Sequence, residues 1–468
     1  MDEPLCPGCR LRDERIAVLE RRVAELEAIV QKLSLRLNTN AQNSSLPPSA
    51  QPLHAAKPAG KKKSKRKSGG QPGHPPQTKQ LLPPERVNQV IPLVPTICEH
   101  CDAVLPAAAG PNDPGPTRHQ QAELPPTVAF VTEWQGHART CTCCGHLNRA
   151  AIPADIRAHS VGPRLAATLA YLAGELGVSQ RGLATFAAEV CDAPLCVGTI
   201  CALEQEMSAA LAPAHQEAVA AVRAAAVKNV DETSWKLKGV KQWLWAAATA
   251  TVAAFVIHAR RGAVGLTALL GEALYGIHCS DRWSVYGRLP VGQRQVCWAH
   301  LKRDFQKVVD RGGTTAALGR RGLRVVRDTF KLWHLFRGGG LTRADLQRRL
   351  EPVQNRLNLL LIEGLCGDPG PVASFCENLH ALEDALWTFA RVDGVEPTNN
   401  HIERLLRKGV LWRKRSFGCS SAAGCRFVER ILTVVQTQRL QGRRVLDYLH
   451  AALRAHRAGQ QGPKLLVG

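Results

Sequence analysis

After Ala226 the chain changes character, and that change limits the folds open to it. The segments VKNVDETSWKL, QWLWAAATA and VAAFVIHAR read as three successive strands. A helical GAVGLTALLGEAL follows, then YGIHCSDRWSVY and RQVCWAH as further strands. Three strands, a crossover helix and more strands fit an α/β core with a mixed sheet. In this reading Asp231 ends the first strand and Asp281 ends the fourth, immediately after the crossover helix. Two adjacent strands then bring both carboxylates to one sheet edge.

A third acid stands far downstream in TNNHIERLLRKGVLWRKRSFG, residues 398–418, where Glu403 precedes Arg404, Arg407, Lys408, Arg413, Lys414 and Arg415. One reading is local: Asn400 as N-cap and Glu403 three positions on as the other half of a capping box. The other is a carboxylate that joins Asp231 and Asp281. Converging carboxylates without matching cations repel one another unless divalent cations sit between them. Two Mg2+ (or Mn2+) ions held in this way suit phosphodiester chemistry.

The rest of the chain is built from separable pieces. Ile16, Leu19, Val23, Leu26, Val30, Leu33 and Leu37 alternate spacings of three and four, the seam of a parallel two-stranded coil and hence of a homodimer or higher oligomer. A single amphipathic helix packed on its own protein has the same pattern. Cys6 and Cys9 precede the seam as free thiols or as a pair that shares a metal across the dimer. From Asn38 the composition turns to Asn, Ser, Pro, Gly and Lys, which predicts a disordered linker. Its run KKKSKRK at 61–67 places Lys61, Lys62, Lys63, Lys65, Arg66 and Lys67 where they can hold phosphate backbones without reading sequence. Cys98 and Cys101, then Cys141 and Cys144 forty residues later, form two C-x2-C knuckles, the ligand set of a structural zinc ribbon. Cys143, His100 and His146 are substitute ligands, and alternating segments such as VAFVTEW supply the ribbon's strands. Residues 161–208 read as helices with the spacing of a helix-turn-helix, its candidate recognition helix starting near Val197; a packing role fits as well.

With 468 residues and 45% hydrophobic content, the chain has room for several buried cores. Lys and Arg outnumber Asp and Glu by 61 to 39, a formal charge of +22 that draws polyanions and favours double-stranded DNA as the partner. No apolar run reaches the roughly 20 residues of a spanning helix, and the charged MDEPLCPGCRLRDE does not read as a signal peptide. A cytoplasmic, nucleoid-associated protein is expected. Its 16 cysteines are then reduced thiols.

At this point the sequence resembles the DDE transposases of the insertion sequence 66 type. The resemblance rests on the coiled N-terminus, NSSLPPS followed by a basic run and GGQPGH, the paired C-x2-C region, DETSW, SDRWSVY, CWAHLKRDF and NNHIERLLRKGVLWRKRSFGCSSAAG. It implies an RNase-H-like core whose catalytic acids match Asp231, Asp281 and Glu403, and it implies cleavage at element ends followed by strand transfer. It also implies that Cys297 and His300 form a C-x2-H motif with the histidine close to the scissile phosphate, or a structural pair. The basic residues after Glu403 would face the DNA backbone, although a solvated face looks similar. The 121 residues between Asp281 and Glu403 would form an all-helical insertion, with Trp333, Phe336 and Trp387 as its core or as wedges into distorted DNA. Ser234 and Arg282-Trp283 depart from the pattern of some relatives without removing an acid.

The expected organisation is therefore multidomain α/β: a coiled coil (1–40), a basic linker (41–84), a zinc ribbon (85–152), a helix-turn-helix-like region (153–226), a first core segment (227–298), the helical insertion (299–395), a second core segment (396–455) and a tail (456–468). A catalytically inactive DNA-binding regulator and a plain nuclease of the same fold are the competing readings. Accessory proteins encoded by the same element remain open as further partners.

Overall fold

A computed structural model describes residues 7–37, 81–367 and 370–466. The basic run at 61–67 and Cys6 lie outside these residues. The chain forms two compact units, residues 59–129 and the remainder.

In the smaller unit, regular structure is sparse. Among its described residues a 3-10 turn covers Pro84–Arg86, and an isolated bridge joins Ile97 to Val104 around the first cysteine pair.

The larger unit starts with α1 (Pro7–Leu37). Its seam residues Ile16, Leu19, Val23, Leu26, Val30, Leu33 and Leu37 are all exposed, so the stripe is not buried against the other described residues. Strands β1 (Ala138–Thr140) and β2 (Leu147–Arg149) form a small antiparallel hairpin around the second cysteine pair. VAFVTEW, expected as strand, has no regular structure and most of its residues are exposed: nothing pairs with its backbone, and alternation alone does not make a strand.

Helices α2 (Ala154–Ala158), α3 (Pro163–Leu176), α4 (Gln180–Cys191), α5 (Val197–Ala210) and α6 (Ala212–Ala224) lead into β3 (Val227–Leu237), β4 (Val240–Ala248) and β5 (Ala253–His258). After α7 (Ala263–Leu270) come β6 (Ile277–Ser280) and β7 (Arg294–Val296). The sheet order is β5-β4-β3-β6-β7, antiparallel through β3 and parallel beyond it. The β3–β4 hairpin turns on Lys238 and Gly239, both at positive φ (50° and 78°), the two-residue geometry that matches strand twist.

Helices α8 (Trp298–Asp310), α9 (Thr315–Arg337), α10 (Arg343–Leu365), α11 (Pro371–His380), α12 (Glu383–Leu386) and α13 (Thr388–Arg391) fill the expected insertion. They share one apolar core with Cys279 and Val296 of the sheet. Trp333 and Trp387 are buried in that core and Phe336 packs on it, so all three are core residues. The chain then returns through α14 (Asn400–Ser416), α15 (Ala422–Leu440) and α16 (Val445–Arg457).

Helix α15 lies along the edge strand β5 and closes it. Thr437 Oγ1, Thr433 Oγ1 and Glu429 Oε1, one helical turn apart, accept from the N–H groups of Ala253, Phe255 and Ile257 at 3.1, 3.1 and 2.5 Å. His215 Nε2 donates to the Phe255 carbonyl at 2.9 Å. An edge strand left open is a template for unwanted pairing. The same helix contributes Ile431, Val434 and Val435 to the core that holds α3–α6 and one sheet face, and Val428 and Leu432 to the core under α14. Residues 153–226 therefore share a core with the sheet. In α5 the buried Ile200 and Met207 belong to that core, and Glu206 pairs with Arg457 at 2.8 Å. Residues 463–466, expected as tail, are also tied down: Leu465 is buried, and the amides of Leu465 and Leu466 donate to Glu217.

Two predictions follow from the closed edge. Replacement of Thr433 by Val leaves the buried Phe255 N–H without an acceptor and should cost about 1–3 kcal/mol in urea unfolding, whereas exposed Thr185→Val should leave the midpoint unchanged. Burial pushes the Glu429 carboxyl up to about 7. An acid whose folded pKa is raised stabilises fully below its unfolded pKa and loses that contribution as pH rises through 7. The unfolding midpoint should therefore fall between about pH 5 and pH 8, and Glu429→Gln should flatten the decline.

Candidate active site

Strands β3 and β6 pair in parallel with Asn229 opposite Cys279. Continued two residues along both strands, the register sets Asp231 level with Asp281. β6 stops at Ser280 while β3 runs on to Leu237, so the carboxylates stand where the parallel pairing ends. Asp231 is the fifth of eleven residues in β3 rather than its end, because pairing with β4 carries DETSWKL onward to the turn. Asp231 Oδ1 accepts the Glu232 N–H, and Asp281 Oδ1 the Trp283 N–H, both at 2.9 Å.

Glu403 lies in the first turn of α14 and does not cap it. The N-cap residue is Asn399, whose side chain makes no capping bond. Its Nδ2 donates instead to the Val230 carbonyl, and its Oδ1 accepts from Asn229 Nδ2, both at 2.9 Å. Its backbone N–H donates to Cys297 Sγ at 3.1 Å. Asn399 is buried, and it fastens the start of α14 to β3 and to the start of α8. Farther along α14, Gly409 allows close approach to β4: a Cβ there would stand 2.4 Å from Leu244 Cδ2.

These fastenings bring Asp231, Asp281 and Glu403 within electrostatic reach of one another. Burial first, then Glu232, Asp281 and Glu403, hold the Asp231 carboxyl well above the usual carboxylate range. Burial also raises Asp281 and Glu403, and Asp281 adds to the rise at Glu403 while Arg303 opposes it. The neighbouring Glu232 differs. It sits on the opposite side of the strand, paired with Arg261 at 2.8 Å and accepting from Tyr286 OH at 2.7 Å, with Arg261 stacked 4.0 Å over Trp283. Burial raises the Glu232 carboxyl while Tyr286 and Arg261 oppose the rise; Asp231 has no cationic partner among the described residues.

The start of α8 meets this cluster. His300 Nδ1 lies 3.7 Å from Glu403 Oε1, and both atoms are buried without a hydrogen-bond partner among the described residues. Burial, with Arg303 and Arg282 nearby, pushes the His300 imidazole down to about 3, and burial pushes the Cys297 thiol up to about 11. Arg303 was not singled out in the sequence. Its Nε is buried without a partner among the described residues, and its charge acts on both His300 and Glu403. The available signal was its spacing, three residues after His300 and hence on the same helical face.

The basic residues of α14 divide. Arg404, Arg407 and Lys414 are exposed, without an ion pair among the described residues. Lys408 pairs with Glu175 at 2.9 Å, Arg413 donates to Ser234 and Thr233, and Arg415 donates to the Leu176 carbonyl at 2.6 Å. These three are bonded to the protein's own α3 and β3. On the insertion, Lys302, Arg327, Lys331 and His334 line a groove of about 810 Å³ floored by Leu323, Val326 and Phe330.

Each C-x2-C pair forms a tight turn within its own unit. The Asp102 N–H donates to the Cys98 carbonyl at 3.0 Å, and the Gly145 N–H to the Cys141 carbonyl at 2.9 Å. Asp102 and Gly145 both have positive φ. Hydrogen bonds from the amides of His100 and Cys101 lower the Cys98 thiol, and those from Cys144 and Cys143 lower Cys141.

Asn399→Ala should therefore leave the Val230 carbonyl and the Asn229 amide unmet, with a loss of about 1–3 kcal/mol in urea unfolding. Amide exchange should quicken in the first turn of α14 before it does in α15.

Residues 9–80 match a family of unknown function. An uncharacterized protein, y4qI, of Sinorhizobium fredii is 26% identical over 242 residues, 46% of this chain and 44% of that relative, so the match spans less than half of the relative's length. Residues 158–426 match the family described as Transposase IS66 family, a stretch that takes in β3, β6, the helical insertion and α14 and covers more than half of the chain. The chain belongs to the transposase IS66 family.

Proposed function

We propose that this protein is a DNA transposase that binds the ends of its element, cleaves to expose 3′-hydroxyls and joins them to target DNA. The observation that carries the reading is the convergence of Asp231, Asp281 and Glu403 where the parallel half of a β5-β4-β3-β6-β7 sheet ends. The strand order and the returning helix α14 favour an RNase-H-like core.

The donor set fits a hard divalent cation. It consists of carboxylate oxygens, Asp231 has no cationic partner among the described residues, and Glu403 Oε1 is buried without a hydrogen bond. Asp231, Asp281 and Glu403 would hold Mg2+ or Mn2+, which when bound makes an attacking oxygen more acidic and stabilises the leaving oxygen. The chain's own contribution is positional. Asn399 holds Glu403 against β3, and the Trp283 N–H orients the Asp281 carboxylate. Neutral His300 offers a ring nitrogen to the reacting phosphate, and Arg303, Arg404, Arg407 and Lys414 supply cations for the DNA backbone. The groove at Lys302 and Lys331 extends that surface onto the insertion. The exposed α1 seam pairs two copies, Cys98, Cys101, Cys141 and Cys144 hold structural zinc, and the run at Lys61–Lys67 adds sequence-independent affinity.

Oligonucleotides that carry the element's terminal sequence test the reading in Mg2+ buffer. Nicks at the end and joined products are expected from the wild type, with both abolished by a chelator. Asp231→Asn and Asp281→Asn should retain the DNA mobility shift while cleavage falls on the order of 10³-fold or more. Hydrolysis without joined products would indicate a plain nuclease, and equal cleavage by variant and wild type would reject the site.

A further inference from the structure

We infer that Cys297, His300 and Glu403 form a second metal site, selective for a soft divalent cation of the zinc class, whose occupation withdraws Glu403 from Asp231 and Asp281. The withdrawal rests on the function proposed above; the binding does not.

One ligand atom from each residue lies within 4.8 Å of the other two. His300 Nδ1 and Glu403 Oε1 face each other at 3.7 Å, both buried and both without a hydrogen bond among the described residues. Two buried polar atoms left unmet in one place carry a desolvation penalty that a shared ligand removes. The third donor is prepared differently: Cys297 Sγ accepts the Asn399 N–H at 3.1 Å, the kind of outer contact that orients a ligating thiolate. Cys297 is the N-cap residue of α8 and His300 lies in its first turn, so the C-x2-H spacing turns sulfur and nitrogen toward the same side.

The donor types discriminate between metals. Sulfur, nitrogen and one carboxylate oxygen suit tetrahedral zinc, with bonds of about 2.0–2.3 Å and a fourth position left open. Mg2+ takes oxygen ligands in octahedral geometry and has no use for the thiol or the imidazole. The charge also balances, because a thiolate and a carboxylate offset the dication beside Arg303 and Arg282, which act on His300. Glu403 stands between two donor sets, one hard and one soft. An ion drawn to the soft set would hold its carboxylate away from the other two.

Co2+ titrated into reduced, metal-free, full-length protein tests this through the thiolate-to-metal absorption band. The cysteines at 98, 101, 141 and 144 remain in every sample, so their contribution cancels in the difference between proteins. Wild type should bind one more equivalent than Cys297→Ser, and His300→Ala should weaken that equivalent at least about tenfold. Cys297→Ser keeps a group that can accept the Asn399 N–H, and its thermal midpoint serves as the folding control. In Mg2+ cleavage assays, added Zn2+ should inhibit the wild type at concentrations at least about tenfold lower than those needed for Cys297→Ser, each relative to its own zinc-free rate. Equal cobalt stoichiometry in wild type and Cys297→Ser, or equal zinc sensitivity, would overturn the inference. A cobalt difference in a protein that cleaves no DNA would keep the site and reject the transposase reading.

Discussion

The buried side chain of Asn399 is the interaction on which the arrangement of acids depends. Glu403 lies 122 residues after Asp281 along the chain and on neither of the strands that lead to the two aspartates. The Asn399 amide satisfies a β3 carbonyl and a β3 side chain, while its backbone N–H reaches the sulfur at the start of α8. Three elements distant in sequence meet at one residue. A buried amide with all its partners met specifies geometry more sharply than apolar contact, since a shift of about 1 Å breaks its bonds. The apolar contacts of Ile402, Leu405 and Leu406 then hold the helix on the face that Asn399 has selected.

Much of this was legible in the sequence where local pattern and tertiary role agree. The strands after Ala226 and the crossover helix are legible in apolar runs, and the structure has these elements in that succession, with β3 beside β6. The expectation that Asp231 ends its strand sets the end of β3 too early, because pairing with β4 across the Lys238-Gly239 hairpin carries the strand on to Leu237. The capping box from Asn400 to Glu403 does not form, because Asn400 is already inside the helix and the N-cap is Asn399, whose side chain is engaged with β3. VAFVTEW alternates well and forms no strand. Periodicity reports what a segment tolerates, and partners decide what it does.

The basic stretch after Glu403 shows the same limit for charge. Six cations on one short segment read as a uniform DNA-facing surface, yet Lys408, Arg413 and Arg415 are held by α3 and β3. They secure the helix. Sequence gives the number of charges, and only packing separates those that support the scaffold from those that face outward. Arg303 is the converse case: a cation inside a helical phrase, its Nε buried without a hydrogen bond among the described residues, whose charge acts on Glu403.

The insertion between Asp281 and Glu403 also has a temporal consequence. A nascent chain that has emerged as far as β7 already holds Asp231 and Asp281 on paired strands, but the residue that completes the trio has not been translated. The helices of the insertion share their core with β6 and β7, and α14 follows them in the chain. The three acids on which the proposed function rests can therefore meet only once the whole insertion and the start of α14 have been made.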